Sequence, residues 1–146
     1  MEMPKIGHVH LKVSDLKKAE EFYTKIFGFR VAERAANYIF LTFGKEHHDL
    51  ALQEHRNATR PSDDMVGLYH FAVKFENLKQ LADAYFKLKK LKINFSPIDH
   101  GISKTIYFAD PDDNGIEVYV DTRHKRKKWN GMSSFIKEKD FEKWLN

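Results

Sequence analysis

The chain has 146 residues, of which 42% are apolar and 32% charged, with a net charge of +4. That length suits one compact domain or two small modules, and the abundance of aromatics (twelve Phe and six Tyr) argues against disorder. With no cysteine there is no disulfide framework, thiolate metal site or catalytic thiol, so any metal must be held by nitrogen and oxygen.

The first element expected is a strand. Val9, Leu11 and Val13 alternate with His8, His10 and Lys12, the period-two pattern of a half-buried strand. Asp15 follows as a helix N-cap, because its carboxylate can accept from the first free backbone N–H groups. Leu16, Ala19, Phe22, Tyr23 and Ile26 recur at helical spacing, and Gly28 is a natural stop. Three short strands are expected next, over Phe29 to Ala32, Tyr38 to Phe43 and Asp49 to Gln53. Arg56 to Val66 is polar, contains Pro61 and reads as a linker.

The pattern then repeats at a constant offset. His8 matches His70, Lys12 matches Lys74, Leu16 matches Leu78 and Tyr23 matches Tyr85, each pair 62 residues apart. Phe71, Val73 and Phe75 form the second strand stripe, Asn77 the second cap, and Leu78, Leu81, Tyr85, Leu88 and Leu91 the second helix stripe. Strands are expected near Asn94 to Ile98, Thr105 to Phe108 and Ile116 to Val120, with a turn over Asp110 to Gly115. A last helix is expected over Ser134 to Leu145, with Phe135, Phe141, Trp144 and Leu145 as its apolar residues.

Two copies of one strand–helix–three-strand unit make an α+β fold of two tandem βαβββ modules. Packed side by side, they are expected to form a curved, cup-shaped mixed sheet with outer helices, followed by a C-terminal helix. The expected organisation is one domain over 1–146. Module 1 is about 5–55, the linker about 56–66, module 2 about 67–121 and a C-terminal extension 122–146.

His8 and His70 hold equivalent places on the two first strands, on the face opposite the apolar residues. Glu117, between Ile116 and Val118, has the same inward phase, and Tyr119 shares it. Two imidazoles and a carboxylate form a facial triad, a ligand set that leaves coordination positions open and is typical of non-haem Fe(II). Taken singly, any of these residues is more ordinarily structural. Their matched positions in a duplicated unit favour one metal site.

Gly7 to Leu16, Phe22-Tyr23 and Phe27-Gly28-Phe29 resemble the opening signature of the vicinal oxygen chelate superfamily. That group includes glyoxalase I, extradiol ring-cleaving dioxygenases, fosfomycin-resistance proteins and bleomycin resistance proteins. Tyr69 to Val73 and Ile106 to Glu117 resemble its second and third signatures, and the likeness covers residues 5–121. The resemblance implies one divalent metal ion on His8, His70 and Glu117, with Fe(II) or Mn(II) favoured over Ni(II), Co(II) or Zn(II). It also implies a small-molecule substrate and a homodimer. Glyoxalase I enzymes usually add a ligand on the last strand of module 1, where this chain offers only Ala51 or Gln53.

His100 to Tyr107 resembles the region of catechol 2,3-dioxygenase-like enzymes that supplies an outer His and a Tyr, although the His-to-Tyr spacing here is shorter. The candidate catalytic residues are therefore Tyr107, His100 and His10, the last sharing the inward face with His8. The leading expectation is an oxidoreductase that cleaves the ring of a bidentate oxygen substrate. The alternatives are a fosfomycin-type thiol or water transferase, a glyoxalase-like lyase, and a non-enzymatic drug-binding resistance protein. The triad argues against the last.

The run Thr122 to Trp129 could meet phosphates and stack on a base, but a solvated basic surface is the ordinary reading, and the diffuse charge excess does not specify a nucleic-acid surface. Trp129 is expected near the pocket mouth or a partner. No apolar run long enough for a membrane span and no signal-peptide pattern occurs, so a cytoplasmic location is expected.

Overall fold

The computed structural model describes residues 3–125, 128–131 and 136–145. The chain divides into two compact units, residues 1–63 and 64–146.

In the first unit, β1 (Val9–Val13) leads into α1 (Leu16–Phe27), followed by β2 (Arg30–Ala35), β3 (Tyr38–Thr42) and β4 (Leu50–Glu54). The sheet order is β1-β4-β3-β2, with β1 parallel to β4 and the other pairs antiparallel. Asp15 caps α1 by accepting from the Lys18 N–H at 3.0 Å, and Gly28 ends it in the left-handed region at φ 74°. The α1 stripe Ala19, Phe22, Tyr23 and Ile26 is buried, as are Leu11 and Val13 of β1 and Leu50 and Leu52 of β4. That leaves the opposite face of β1, with His10 and Lys12, exposed.

The second unit repeats the order. It runs β5 (Phe71–Phe75), α2 (Leu78–Lys90), β6 (Phe95–Asp99), β7 (Ser103–Ala109) and β8 (Gly115–Asp121), in sheet order β5-β8-β7-β6. Asn77 caps α2 by accepting from Gln80 N–H at 3.1 Å. The helix packs on β5 and β8 and buries Leu81, Ala84, Tyr85 and Leu88, while Ile106, Ile116 and Val118 are buried on the sheet. Burial alternates along β8: Ile116, Val118 and Val120 are buried, while Glu117, Tyr119 and Asp121 lie on the other face. The expected inward phase of Glu117 is thus present.

The two βαβββ modules are as expected. Among the described residues the strands pair within each module, giving two open four-stranded mixed sheets. The strand bounds shift by a residue or two. The largest shift is β2, which begins at Arg30 and runs to Ala35 through a bulge between Val31 and Glu33.

The turn after β7 is built on Asp110. Its Oδ1 accepts from the Asp112 and Asn114 N–H groups, both at 2.9 Å, and its Oδ2 accepts from the Asn114 side-chain amide at 2.9 Å. Asp113 takes φ 65° in the middle of the turn. The turn delivers β8, and with it Glu117, in fixed register beside β7.

The last helix, α3 (Glu138–Leu145), starts later than the sequence pattern suggested, and Ile136 and Lys137 are not helical. Ser134 and Phe135 lie outside the described residues. Phe141 is fully buried with its ring 5.3 Å from that of Tyr85, and the Tyr85 hydroxyl donates to Glu142 at 2.7 Å. No helix among the described residues is long and apolar enough to cross a membrane.

Candidate metal and substrate site

The polar face of the second sheet carries the chemistry. His70 stands just before β5, and β5 pairs parallel with β8, with Ala72 opposite Glu117. The His70 Nε2 lies 3.0 Å from Glu117 Oε2. On the next strand over, Tyr107 is in register with Glu117. Thr105 is on the same face, two residues before Tyr107, and its hydroxyl donates to the other Glu117 oxygen, Oε1, at 3.1 Å. Ser103 Oγ is in turn 3.3 Å from Thr105 Oγ1. The carboxylate is therefore held from both sides.

The approach of His70 to β8 depends on a missing side chain. A Cβ at Gly115 would collide with the backbone carbonyl of Tyr69 and sit 3.2 Å from the His70 Cβ. Glycine has a use here because the two backbones approach too closely for any side chain.

Around this pair lies a cleft of about 570 Å³ lined by His70, Tyr107, Glu117, His100, Tyr119 and Trp129, among others. The His70 and Tyr107 rings meet edge to face at 5.3 Å. His100 Nε2 is 2.9 Å from the Tyr107 hydroxyl, and its Nδ1 is 2.9 Å from the Gly131 carbonyl oxygen. Trp129 stacks on the His100 ring at 6.2 Å while remaining 62% exposed, so it sits at the cleft as expected. Burial, reinforced by the neighbouring Glu117 carboxylate, pushes the Tyr107 hydroxyl well above the ordinary phenol range. Tyr107 is thus a neutral hydrogen-bonding group across the working pH range. Lys74 and Arg123 put cations along the cleft beside Asp121, with Lys74 Nζ 3.5 Å from Asp121 Oδ2.

The structure brings together four of the six residues expected from sequence: His70, Glu117, Tyr107 and His100. The shorter His-to-Tyr spacing is no obstacle, because His100, in the turn between β6 and β7, reaches the hydroxyl of Tyr107 within β7 and bonds it directly. His8 and His10 belong to the first unit. His8 packs against His48 with ring centroids 4.5 Å apart, and His10 lies 5.7 Å from Tyr38. Among the described residues, no three His, Asp or Glu side chains are gathered into one metal-holding group. His70 and Glu117 stand side by side in the cleft, and an exposed His47–Glu33 pair at 3.2 Å lies in the first unit.

The strand register identifies the module 1 counterpart of Glu117. In β4 it is Ala51 that pairs with His10, as Glu117 pairs with Ala72. Ala51 is buried and carries no donor.

Thr105 was not anticipated from sequence. The available signal was the alternation Ser103, Thr105, Tyr107 on a strand with one face already assigned. The Trp129–Gly131 contacts to His100 left no comparable local signal.

The family model described as "Glyoxalase/Bleomycin resistance protein/Dioxygenase superfamily" matches residues 5–118. A catechol-2,3-dioxygenase of Bacillus subtilis (strain 168) is 34% identical over 117 residues. That match takes in 80% of this chain but 41% of the enzyme, so the chain spans less than half the length of this relative. The metallothiol transferase FosB of Lysinibacillus sphaericus (strain C3-41) is 27% identical over 128 residues, which is 86% of this chain and 89% of the transferase. Among solved structures, a glyoxylase/bleomycin resistance protein/dioxygenase domain from Frankia sp. EAN1pec superposes with a TM-score of 0.72 at 20% identity. It covers 82% of this chain and 93% of that domain, a likeness that speaks to fold alone.

Proposed function

The chain belongs to the glyoxalase/bleomycin resistance protein/dioxygenase superfamily, and from that premise we propose that it is a metal-dependent enzyme acting on a bidentate oxygen substrate, of extradiol ring-cleaving dioxygenase type. The single observation that carries the reading is the His70–Glu117 pair, with donor atoms 3.0 Å apart in the lining of a cleft. Two cis ligands each roughly 2.1 Å from one ion are separated by about 3 Å. The donor set, one imidazole and one carboxylate braced by Thr105, is that of a borderline divalent metal. His8, the counterpart of His70 in the repeat, is the proposed third ligand, and Fe(II) or Mn(II) the favoured ion.

A divalent metal bound there would supply Lewis acidity, lowering the pKa of a coordinated hydroxyl and stabilising developing oxyanion charge. The protein's own groups have separate tasks. Thr105 fixes the carboxylate rotamer of Glu117, the kind of outer contact that orients a ligand. Tyr107 offers a neutral phenol to a substrate oxygen, and His100 holds that phenol in place. Trp129 and Ile102 line the cleft and give it apolar wall suited to a planar ring. His10 is the proposed additional hydrogen-bonding or proton-transfer group. The homodimer implied by the resemblance is part of the same proposal.

A second reading has an observation of its own. A thiol transferase is among the relatives, 27% identical over 128 residues. Lys74 and Arg123 also place cations along the cleft, which an anionic substrate would need. A glyoxalase-like lyase is disfavoured by Ala51 in the place where a fourth ligand would stand.

The readings separate in one experiment. Protein loaded anaerobically with Fe(II) is mixed with catechol and oxygen uptake followed, and in parallel Mn(II)-loaded protein is given fosfomycin with a low-molecular-weight thiol. Oxygen uptake with a yellow ring-cleaved product supports the dioxygenase. Thiol consumption without oxygen uptake overturns it in favour of the transferase.

A further inference from the structure

We propose that the C-terminal segment Trp129–Gly131 is a positioning element that sets the tautomer of His100, placing the hydrogen on Nδ1 and leaving Nε2 an acceptor toward Tyr107 and the cleft. This segment lies beyond the residues matched by the family model. Its catalytic consequence rests on the proposed metal-dependent reading, but the tautomer itself does not.

His100 is 4% exposed and is gripped from several directions. Its backbone N–H donates to Ser103 at 3.0 Å, and its backbone carbonyl accepts from the Asn130 N–H at 2.8 Å. Its Nδ1 faces the Gly131 carbonyl at 2.9 Å, and Trp129 covers the ring at an interplanar angle of 28°. The strap is anchored on both sides. Thr122 bonds Ile102 through its N–H at 2.8 Å and Gly101 through its hydroxyl at 3.0 Å, and further on the Ile136 N–H reaches the Pro97 carbonyl at 3.2 Å.

The hydrogen-bond logic follows from the partners. A backbone carbonyl can only accept, so Nδ1 carries the hydrogen. In the neutral ring Nε2 is then bare and can only accept, and the group facing it 2.9 Å away is the Tyr107 hydroxyl, which also faces the Glu117 carboxylate. The strap thereby leaves His100 with an acceptor nitrogen on the cleft side, available to a hydroxyl hydrogen.

Gly131 takes φ 81°, and a Cβ there would meet no atom within 4 Å among the described residues, so the backbone conformation is what a substitution changes. Gly131→Pro forces φ to about −65°, which turns the carbonyl away from His100.

The test is a long-range ¹H–¹⁵N correlation spectrum of the imidazoles in the full-length, chelator-treated protein, at a pH above the ordinary imidazole range. The expected pattern for His100 is a protonated Nδ1 and a bare Nε2. That pattern is expected to persist in Tyr107→Phe, because the strap and not the phenol sets it. It is expected to be lost in Gly131→Pro, with the ring moving toward the Nε2–H form. Trp129→Ala, at a largely exposed position, is expected to broaden the signals without reversing them. An Nε2–H ring or a doubly protonated ring in the parent protein would overturn the proposal, as would an unchanged pattern in Gly131→Pro. Because no metal is present, a failure here is distinct from a failure of the metal-dependent reading.

Discussion

Gly115 and Thr105 show how narrowly the His70–Glu117 pair is set. Gly115→Ala drives a methyl into the Tyr69 carbonyl and against His70, so the start of β5 must move. The expected result is a fold that survives, judged by circular dichroism, with metal affinity reduced at least tenfold by titration. Thr105→Val keeps the volume and removes the donor to Glu117 Oε1. Loss of such an outer contact typically weakens metal binding by about 10- to 100-fold, which competition with a chelating dye would measure. An unchanged affinity in both variants would mean that the pair is not a ligand pair. At this scale, sequence reading worked where periodicity carried it: the inward phase of His70, Glu117 and Tyr119 follows from alternation alone. It missed Thr105 because a small hydroxyl on a strand is usually unremarkable, and its meaning comes only from the register of β7 against β8.

At the scale of elements, the caps are local signals and were readable. Asp15 and Asn77 both stand one residue before a helical stripe, and both accept from the N–H three residues on. Asn77→Ala is expected to cost about 1 kcal/mol, seen as a lowered Tm. The docking of α3 was not readable in detail, since it depends on a contact across 57 residues of chain. Tyr85 is fully buried and donates to Glu142, and burial, then the Glu142 carboxylate, pushes its hydroxyl up to about 12. A folded value above the ordinary 10 means that its stabilising contribution is complete below pH 10. It is then lost as pH rises from 10 to about 12, since the unfolded chain sheds the proton first. Denaturant midpoints are therefore expected to fall across that window more steeply in the parent than in Tyr85→Phe. Equal slopes would contradict this role. Phe141→Ala, which empties a fully buried position on α3, is expected to cost about 3–5 kcal/mol.

At the scale of the whole chain, the duplication was legible because equivalent residues recur at one offset, and each copy folds into the same strand order. Two units with separate sheets also explain why the site was only partly legible. Residues within module 2 find each other through strand pairing, whereas the part assigned to His8 depends on the repeat and the family resemblance. The C-terminal extension belongs to no repeat, so no internal comparison could suggest that it returns to His100.

The most direct test of the metal-dependent reading is elemental analysis of protein purified anaerobically without added metal, beside His8→Ala, His70→Ala and Glu117→Ala. The account expects close to one equivalent of iron or manganese in the parent and its loss in all three variants. A parent that carries no metal and takes up none on titration with Fe(II), Mn(II), Ni(II), Co(II) or Zn(II) would contradict it.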